Sequence, residues 1–394
     1  MAFQGWSPGT RIDGPQQDKT GDMLMNSGLW RFSQWLDSVP ESARLTLGEG
    51  NTPVVRSRRL GPSVGLQNLF FKLESTNPSG SYKDRFACAA ISDMVARGKT
   101  ECIATSSGNT GAALAAYCAL AGITCEIAIV EKAAEGKLKQ MLAYGAKLFR
   151  VRGFGIDSRL SEQVVECLKM LSARPQAQMQ ISAFAYSPVG MSGVKSLGHE
   201  LAEQSTELDR QKWDHVFCMA GGGGLTLAVA HGFRQLCDAG RLSEMPRVEC
   251  VQPEGNNTIA GPLRDGKPVA QTVACTSSIS GLQVPQIIDG NEVIVACRQS
   301  GGTGHLVTDE FIWNTQARLA REEGIFAEPA GSTAVAGALQ AAREGLLDPT
   351  ANIVCLITGS AFKDPPSLDA MVKHTSAPLI ELADLERRVA EECR

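Results

Sequence analysis

The lysine at position 83 lies in the segment STNPSGSYKDR, where a turn rich in Asn, Pro and Gly leads into a helical run. A lysine at a helix start meets the positive end of the helix dipole, which disfavours the ammonium and lowers the pKa of the amine. The neutral amine can then form a Schiff base with a carbonyl compound. Because an isolated helix-start lysine is usually a solvated surface residue, the interpretation of Lys83 depends on three further segments.

The second segment, TSSGNTGAALAAY (105–117), carries polar side chains between the predicted strand CIATS and a helix of small residues. Backbone amides at a helix start, with hydroxyls beside them, bind a carboxylate well. An ordinary N-cap needs only one Ser or Thr. Ser106, Ser107, Asn109 and Thr110 exceed that need, so we predict a carboxylate-binding site in this turn.

The third segment is the glycine run Gly221, Gly222, Gly223 and Gly224, followed by Leu225, between a predicted strand and a predicted helix. Glycines leave the backbone amides at a helix start open to a phosphate group. The run does not have the GxGxxG or GxxxxGKS spacing of dinucleotide or nucleoside triphosphate sites. It predicts a phosphate cradle for a different ligand.

The fourth segment is LITGS, which places Thr358 at the end of the last predicted strand. A hydroxyl there can meet a ring nitrogen without adding charge. A neutral partner leaves a pyridine nitrogen largely unprotonated and weakens the ring as an electron sink, which favours chemistry at the β or γ carbon over transamination.

The elements that position these residues alternate between strand and helix from about residue 68 to residue 356. Such alternation is typical of parallel sheets covered on both faces by helices. The alternation of strands and helices occurs in two separate stretches of the chain, so the sequence predicts an α/β protein with two three-layer α/β/α units. Ligands of such sheets bind at the carboxyl ends of the strands.

The composition restricts the partners of the chain. Its 38 basic and 42 acidic residues give a net charge of -4, which would not attract nucleic acid or an anionic membrane. No apolar run approaches the length of a spanning helix, and the start has no signal-peptide pattern. Twelve scattered cysteines and five isolated histidines suggest reduced thiols and no metal site. We therefore predict a cytoplasmic enzyme that binds a small molecule.

Six segments, taken in order, resemble the pyridoxal-phosphate (PLP) enzymes of the tryptophan synthase β fold, fold type II, and among them most resemble threonine synthases. They are GEGNTPV (48–54), KLESTNPSGSYKDR (72–85), TSSGNTGAALAAY (105–117), AGGGGL (220–225), EPAGS (328–332) and ITGSAFKD (357–364). The similarity covers roughly residues 28 to 375 and includes the opening LWRFSQWL. Motifs in this order are highly specific for the fold.

The resemblance implies a role for each predicted site residue. Lys83 would hold PLP as a Schiff base and act as general acid and base, and Asn109 would bind the 3′ oxygen of the cofactor. Thr358 would face the pyridine nitrogen. The cofactor phosphate would lie on Gly221, Gly222, Gly223, Gly224 and Leu225, and the substrate carboxylate on Ser106, Ser107 and Thr110.

The resemblance also implies a domain organisation and a homodimer. Residues 1–44 would form an arm and a docking helix, residues 45–82 and 191–375 a large domain, and residues 83–190 a small mobile domain that closes on the substrate. Residues 376–394 would form a C-terminal helix that packs or contacts a second subunit.

The chain departs from threonine synthases where those enzymes recognise the substrate phosphate. Their arginine aligns with Gly190, and their Asn-Ser pair aligns with Phe184 and Ala185. A dianionic leaving group needs charge-assisted donors, so another cation would have to substitute. The candidates are Arg85, Lys195 and Arg298.

The predicted function is therefore a PLP-dependent lyase of amino-acid metabolism that eliminates or replaces a phosphate or hydroxyl group at the β or γ position of a small amino acid. The four glycines also resemble threonine and serine dehydratases, and a β-replacement enzyme similar to cysteate synthase is a third alternative. A cofactor-binding regulatory relative is the non-enzyme alternative. Gly281, Gly301, Gly302 and Gly304, in a segment without a recognised motif, could shape the side-chain pocket.

Overall fold

The computed structural model describes residues 28–392 except 107, 134 and 209–211, and its strands form two separate sheets. The six-stranded sheet has the order β1-β2-β10-β7-β8-β9, and the four-stranded sheet has the order β5-β4-β3-β6. All strand pairs are parallel except β1 with β2. The predicted α/β class with two parallel sheets is confirmed.

The six-stranded sheet combines strands from both ends of the chain. Its strands are β1 (Val54–Arg56), β2 (Asn68–Lys72), β7 (His215–Met219), β8 (Arg247–Pro253), β9 (Gly304–Val307) and β10 (Asn352–Leu356). β10 lies between β2 and β7, and all five residues of β7 are buried. Burial on both faces explains why these strands are continuous apolar runs rather than alternating ones.

The four-stranded sheet is built from one continuous stretch of the chain. Its strands are β3 (Glu101–Thr105), β4 (Thr124–Val130), β5 (Lys147–Val151) and β6 (Ala177–Met179). The strands of the two sheets therefore come from residues 101–179 and from residues 54–72 with 215–356. The domain boundaries and the mobility of the smaller unit stay predictions.

Helices cover the sheets and connect their strands. They are α1 (Lys83–Ala96), α2 (Asn109–Ala121), α3 (Glu135–Ala143), α4 (Ser158–Ser172), α5 (Pro188–Glu207), α6 (Gly224–Asp238), α7 (Ala260–Arg264), α8 (Gly290–Gln299), α9 (Asp309–Arg318), α10 (Pro329–Arg343), α11 (Pro365–Val372) and α12 (Leu382–Glu392). A π-helical turn, Leu319–Glu323, extends α9. In the described part of the chain, no helix is long and apolar enough to cross a membrane.

Helix α5 packs closely on α1 because small residues line the contact. A Cβ at Gly193 would lie 2.3 Å from the carbonyl oxygen of Arg85, and a Cβ at Gly190 would lie 2.6 Å from Cε2 of Phe86. Close packing of this kind leaves no room for a side chain at either position. The start of α1, where Lys83 lies, is thereby held against α5.

A buried group of four charged residues, the α1–α5 ion cluster (Lys72, Glu74, Arg85 and Glu200), lies beneath this contact. Arg85 donates from Nε and Nη2 to both carboxylate oxygens of Glu74 at 2.8 Å and from Nη2 to Glu200 at 3.0 Å. Lys72 donates to the other oxygen of Glu200. The four side chains are fully buried and their charges cancel, so each ion has the partners that burial requires.

The predicted N-terminal docking helix is present as a 3-10 helix, Gly28–Trp35. Leu29, Trp30 and Phe32 are buried, and the rings of Phe32 and Trp35 stack on His199 at 5.5 and 5.7 Å. The lead segment therefore docks on α5. Residues 1–27 lie outside the described part of the chain.

Candidate active site

Lys83 is the first residue of α1, as its sequence context predicts. Its Nζ donates a hydrogen bond of 2.6 Å to Oγ of Ser182 and lies 4.5 Å from the centre of the Tyr82 ring. The preceding backbone is tied to the end of β10, because the amide of Tyr82 donates to the carbonyl oxygen of Thr358 at 3.0 Å and Ser81 forms a bridge with Gly359. The backbone contacts of Ser81 and Tyr82 and the hydrogen bond to Ser182 therefore fix the position of the Lys83 amine.

The electrostatics of the site favour the neutral amine. Burial lowers the pKa of Lys83 to about 7, and the negative charges of Glu328 and Asp289 oppose this shift. The sequence argument relied on the helix dipole, whereas the structure assigns the main effect to burial. At neutral pH a substantial fraction of Lys83 can act as a nucleophile or a base.

Asn109 and Glu328 form one wall of the site. The Nδ2 of Asn109, the first residue of α2, donates to Oε1 of Glu328 at 2.6 Å, and Glu328 immediately precedes α10. A Cβ at Gly359 would lie 2.1 Å from Oε1 of Glu328, so only glycine fits behind this pair. The hydrogen bond joins the helix after β3 of one sheet to the helix before β10 of the other.

Thr358 lies at the end of β10, next to the Tyr82 backbone. Its side chain is fully buried, and its Oγ1 has no hydrogen-bond partner among the residues that the structure describes. A buried hydroxyl without a partner is unfavourable in the protein alone. The unpaired Thr358 hydroxyl therefore fits a group that forms a hydrogen bond with a bound ligand.

The glycine run follows β7 and begins α6. Gly223 has φ +101, which favours glycine, and Gly224 is the first residue of α6. A Cβ at Gly221 would lie 3.0 Å from the carbonyl oxygen of Gly281, and one at Gly223 would lie 2.7 Å from Cγ2 of Val293. The backbone of Gly221 and Gly223 therefore packs directly against neighbouring residues. The amides at the start of α6 can bind an anion.

The opposite wall consists of Ser182, the backbone of Phe184 and Ala185, and the side chain of Asp289. Asp289 accepts hydrogen bonds from the amides of Phe184 at 2.9 Å and Ala185 at 3.2 Å. Its Oδ2 lies 3.1 Å from the position of a Cβ at Gly224, and the carbonyl oxygen of Ser182 lies 3.5 Å from the same position. Sequence reasoning missed Ser182 and Asp289 because no local motif marks them.

The predicted carboxylate site precedes α2. Ser106 and Thr110 are half-buried, and Oγ of Ser106 accepts a hydrogen bond from the amide of Gly108 at 3.2 Å. Ser107 lies outside the described residues. The Ser106 hydroxyl thus organises its own turn, and Thr110 occupies the first turn of the helix beside Asn109.

The three candidate cations for a substrate phosphate lie elsewhere. Arg85 belongs to the fully buried α1–α5 ion cluster, Lys195 pairs with Asp37, and Arg298 donates to the carbonyl oxygen of Lys267. The structure therefore does not support a substitute role for any of them. Lys363, which sequence reasoning did not single out, is a partly buried cation that donates to Gln140 at 2.5 Å and has its pKa lowered by burial.

The glycines of the unassigned segment separate into two groups. Gly281 abuts the glycine run through its carbonyl oxygen, as described above. A Cβ at Gly302 would lie 2.1 Å from the carbonyl oxygen of Val248, and one at Gly304 would lie 1.8 Å from that of Ala260. Gly302 and Gly304 thus permit close packing around β8 and β9, whereas a Cβ at Gly301, which has φ +74, would lie 3.9 Å from the nearest atoms of Arg247. The suggestion that these glycines shape the side-chain pocket stays a prediction.

Three cysteines come together in the core beneath α2. The Sγ atoms of Cys102, Cys118 and Cys125 all lie within 4.8 Å of one another, and all three residues are buried. Their sequence spacing, on β3, α2 and β4, does not match a metal-ligand motif. The structure thus adds a thiol cluster that the sequence did not predict.

An amine whose pKa is lowered to about 7, a glycine run at a helix start and an unpaired buried hydroxyl fit an enzyme that binds a phosphorylated ring cofactor. The family model described as "Pyridoxal-phosphate dependent enzyme" matches residues 45–359. The chain belongs to this family. It is a PLP-dependent lyase that eliminates or replaces a group at the β or γ position of an amino acid, with the tryptophan synthase β-like fold.

Curated relatives extend this assignment. The chain is 31% identical to the threonine synthase of Methanocaldococcus jannaschii over 89% of this chain and 84% of the relative. It is 32% identical to the threonine synthase of Mycobacterium leprae over 87% of this chain and 90% of the relative. The predicted resemblance to threonine synthases is confirmed.

Solved structures show the same fold at lower identity. The processed form of threonine deaminase isoform 2 from Solanum lycopersicum has a TM-score of 0.69 at 19% identity, over 95% of this chain and 99% of that chain. A K43A mutant of O-ureido-L-serine synthase has a TM-score of 0.64 at 22% identity, over 86% and 96% of the two chains.

The residues present fit PLP. A Cβ at Gly221, Gly223 or Gly224 would come within 3.0 Å of a neighbouring atom, so backbone amides rather than side chains line this turn, as a phosphate cradle requires. The unpaired Thr358 hydroxyl suits a ring nitrogen. When bound, the cofactor supplies an electron sink that makes the α hydrogen of an amino acid acidic. The protein supplies the amine, the anion sites and the proton acceptors around it.

Proposed function

We propose that Lys83 carries the cofactor and moves the proton of the substrate α carbon. Thr358 then meets the ring nitrogen and Asn109 the 3′ oxygen. The cofactor phosphate lies on the amides of Gly221, Gly222, Gly223, Gly224 and Leu225. The substrate carboxylate binds at Ser106, Ser107 and Thr110, at the start of α2.

The observation that carries this proposal is the position of Lys83. Its amine has a pKa of about 7 and responds to Glu328 on one wall and to Asp289 on the other. The Glu328 wall contains Asn109 and packs against Gly359, the residue after Thr358. The Asp289 wall borders Gly224. The amine thus lies between the groups proposed for the ring and those proposed for the phosphate.

The proposed reaction is elimination or replacement of a phosphate or hydroxyl group on the side chain of a small amino acid, as in threonine synthases. The curated relatives named above support this class. A replacement reaction would add a nucleophile after the leaving group has departed. An elimination would release an unsaturated product that hydrolyses to a keto acid.

The experiment is a two-part assay. Purified protein and its Lys83→Ala variant are mixed with PLP, and the visible band of lysine-bound cofactor is expected only in the unaltered protein. Phosphohomoserine, phosphoserine, threonine and serine are then screened for phosphate and keto acid, with and without sulfite or a thiol. Absence of the band, or the same band in the variant, would contradict the proposal.

A second candidate, a threonine or serine dehydratase, is favoured because Gly190 replaces the arginine of threonine synthases, and because Arg85, Lys195 and Arg298 are engaged by other groups. A Cβ at Gly190 would lie 2.6 Å from Phe86 and 2.9 Å from Ala90, so an arginine does not fit there. Arg85 is fully occupied by Glu74 and Glu200. Keto acid from threonine or serine without phosphate release would support this candidate.

We also propose that the enzyme acts in the cytoplasm as a homodimer with a mobile smaller domain. The eleven cysteines within the described residues are free thiols, which suits a reducing compartment. Helix α12 exposes Leu382, Leu385 and Val389, and such an apolar stripe is suited to a subunit contact. Light scattering of the full chain and of a chain ending at residue 376 tests the dimer contact.

A further inference from the structure

We propose that Cys102, Cys118 and Cys125 form a binding site for a soft monovalent metal ion, Cu(I), held by three sulfur atoms. The inference does not depend on the proposed function, because none of the three residues belongs to the site around Lys83. It assigns a ligand to the thiol cluster beneath α2, which the proposed reaction does not use.

The three thiols converge from three different elements. Cys102 on β3 and Cys125 on β4 are directly paired in the register of these parallel strands, so their side chains leave the same face of the sheet. Cys118 lies in the last turn of α2 and meets them there, since the three Sγ atoms lie within 4.8 Å of one another. The fold itself therefore brings the three sulfur atoms together.

The spacing of the sulfur atoms suits one ion bound by all three. Metal–thiolate bonds of about 2.3 Å in a trigonal plane put the sulfurs about 4.0 Å apart. Atoms that already lie within 4.8 Å of one another reach this spacing by side-chain movements of less than about 1 Å. The other free cysteines of the described residues do not assemble in such a group.

The surroundings of the cluster select the kind of ion. The three cysteines are at most 5% exposed and belong to the hydrophobic core. Among the residues that the structure describes, no histidine, carboxylate or fourth cysteine joins the group. Mg²⁺ and Ca²⁺ need oxygen ligands, and structural zinc almost always takes four ligands. Cu(I), which soft thiolate ligands select, fits a site of three sulfurs.

The charge of the cluster also fits a monovalent ion. Hydrogen bonds from the Cys102 and Cys118 thiols lower the pKa of Cys125 to about 5, against the effects of burial and of Glu126. One thiolate with two thiols carries a single negative charge, which Cu(I) cancels. A neutral group costs less to bury than a charged one. Binding needs no oxidant or reductant, because copper stays Cu(I) and any thiol that ionises releases its proton to water.

The cluster is separate from the proposed cofactor site and close to the surface. Cys118 lies nine residues after Asn109, which is about 13.5 Å along α2 at about 1.5 Å per residue. Leu120 and Gly122, at the end of the same helix, are exposed. A small ion can therefore reach the thiols at the turn between α2 and β4 without passing the residues proposed for PLP.

The test is an oxygen-free Cu(I) titration of the full, PLP-loaded chain against a coloured Cu(I) chelator such as bicinchoninate. We expect one Cu(I) per chain to be held against excess chelator, and Cys118→Ser to weaken this binding. Loss of an outer-sphere partner alone costs about 10–100-fold in metal affinity, so loss of a ligand should cost about 100-fold or more. No Cu(I) retained by the unaltered protein, or equal affinity in the variant, would overturn the proposal.

The matched controls are Cys167→Ser and Cys237→Ser, which remove thiols outside the cluster. Both should hold Cu(I) as tightly as the unaltered protein, and loss of the tight site in either would refute the assignment. Because a serine in the core can unfold the chain, circular dichroism of Cys118→Ser is measured first. Cys125→Ala, which adds no polar group, provides a second variant with the same expected loss.

X-ray absorption at the copper edge tests the site in the unaltered, copper-loaded protein. We expect sulfur neighbours alone, at about 2.3 Å. Nitrogen or oxygen neighbours would contradict the three-sulfur site, and tighter binding of Zn(II) than of Cu(I) would contradict the choice of ion. An intact copper site in a protein without lysine-bound cofactor would support this proposal and contradict the proposed function, so the two can fail separately.

Discussion

The carboxylate of Glu328 accepts a 2.6 Å hydrogen bond from Asn109 while its charge acts on the amine of Lys83. The negative charge stabilises the ammonium and raises the pKa of Lys83 against the effect of burial. The same side chain also excludes any residue but glycine at position 359. Glu328 therefore sets both the geometry and the charge of this wall.

Glu328→Gln should lower the pKa of Lys83 further, because the charge that opposes the effect of burial is removed. The neutral amine would then persist at lower pH, so the pH midpoint for reconstitution of apoenzyme with PLP should move to lower values. The rate of formation of the visible band across neutral pH measures this. Glu344→Gln, at the other end of α10, is the control. A midpoint that moves upward would contradict the electrostatic assignment.

Gly359→Ala should displace Glu328 and Asn109. The new Cβ would lie 2.1 Å from Oε1 of Glu328 and 3.0 Å from Nδ2 of Asn109. Overpacking of this kind costs about 1–3 kcal/mol, and PLP affinity should fall about 10-fold or more. Fluorescence titration with PLP measures the affinity. An unchanged PLP affinity in Gly359→Ala would contradict this account of the wall.

Gly190→Arg should destabilise the protein without improving turnover of phosphohomoserine. The side chain would have to displace Phe86 and Ala90 at the contact of α1 with α5. Even Gly190→Ala should lower the free energy of unfolding by about 1–3 kcal/mol. Urea midpoints report the change, and Thr206→Ala on an exposed part of α5 serves as control. A stable arginine variant with increased phosphate release would refute this view of the departure from threonine synthases.

Glu200→Gln should destabilise the fold by about 3–5 kcal/mol at neutral pH, because the two buried cations Arg85 and Lys72 would be left with a single carboxylate, Glu74, to balance them. Burial raises the pKa of Glu200, but Arg85 and Lys72 outweigh it and hold the pKa at about 2. Since this lies below the unfolded value of about 4.3, the stabilisation is present above that value and is lost as the pH falls toward 2.

Urea unfolding at several pH values measures this contribution, and the variant should show a weaker acid dependence than the unaltered protein. Glu203→Gln is the control on the same helix, since Glu203 pairs with Arg31 at the surface and its side chain is 47% exposed. Surface pairs contribute at most about 1 kcal/mol. Equal effects of the two substitutions would show that burial of the cluster does not matter.

The fold and the centre of the site were predictable because their signals are local. Lys83 follows a turn and starts a helix, the glycines follow a buried strand, and Thr358 comes two residues after the end of another. Each of these features depends on residues adjacent in sequence. The parallel class followed from apolar runs such as β7 and β10, whose burial on both faces removes the alternation of polar and apolar residues.

The rest of the site depends on contacts between distant segments. Glu328 meets Asn109 only after the two sheets are in place, and Asp289 reaches Phe184 and Ala185 from another helix start. The strands β1, β5, β6 and β9 were also missed, and β1 and β6 have only three residues each, which are too few to show a period. Arg85 looked like a free cation in sequence because its partner Glu200 is far away in the chain.

The position of β10 between β2 and β7 has a consequence for biosynthesis. Neither neighbour can complete the sheet, and the Ser81 to Gly359 bridge beside Lys83 cannot form, until residues near 360 have left the ribosome. Contacts between such distant segments form slowly and leave apolar strand edges uncovered in the meantime. If PLP binds between Lys83 and Thr358 as proposed, we therefore expect the cofactor to be taken up only after synthesis of these residues is complete.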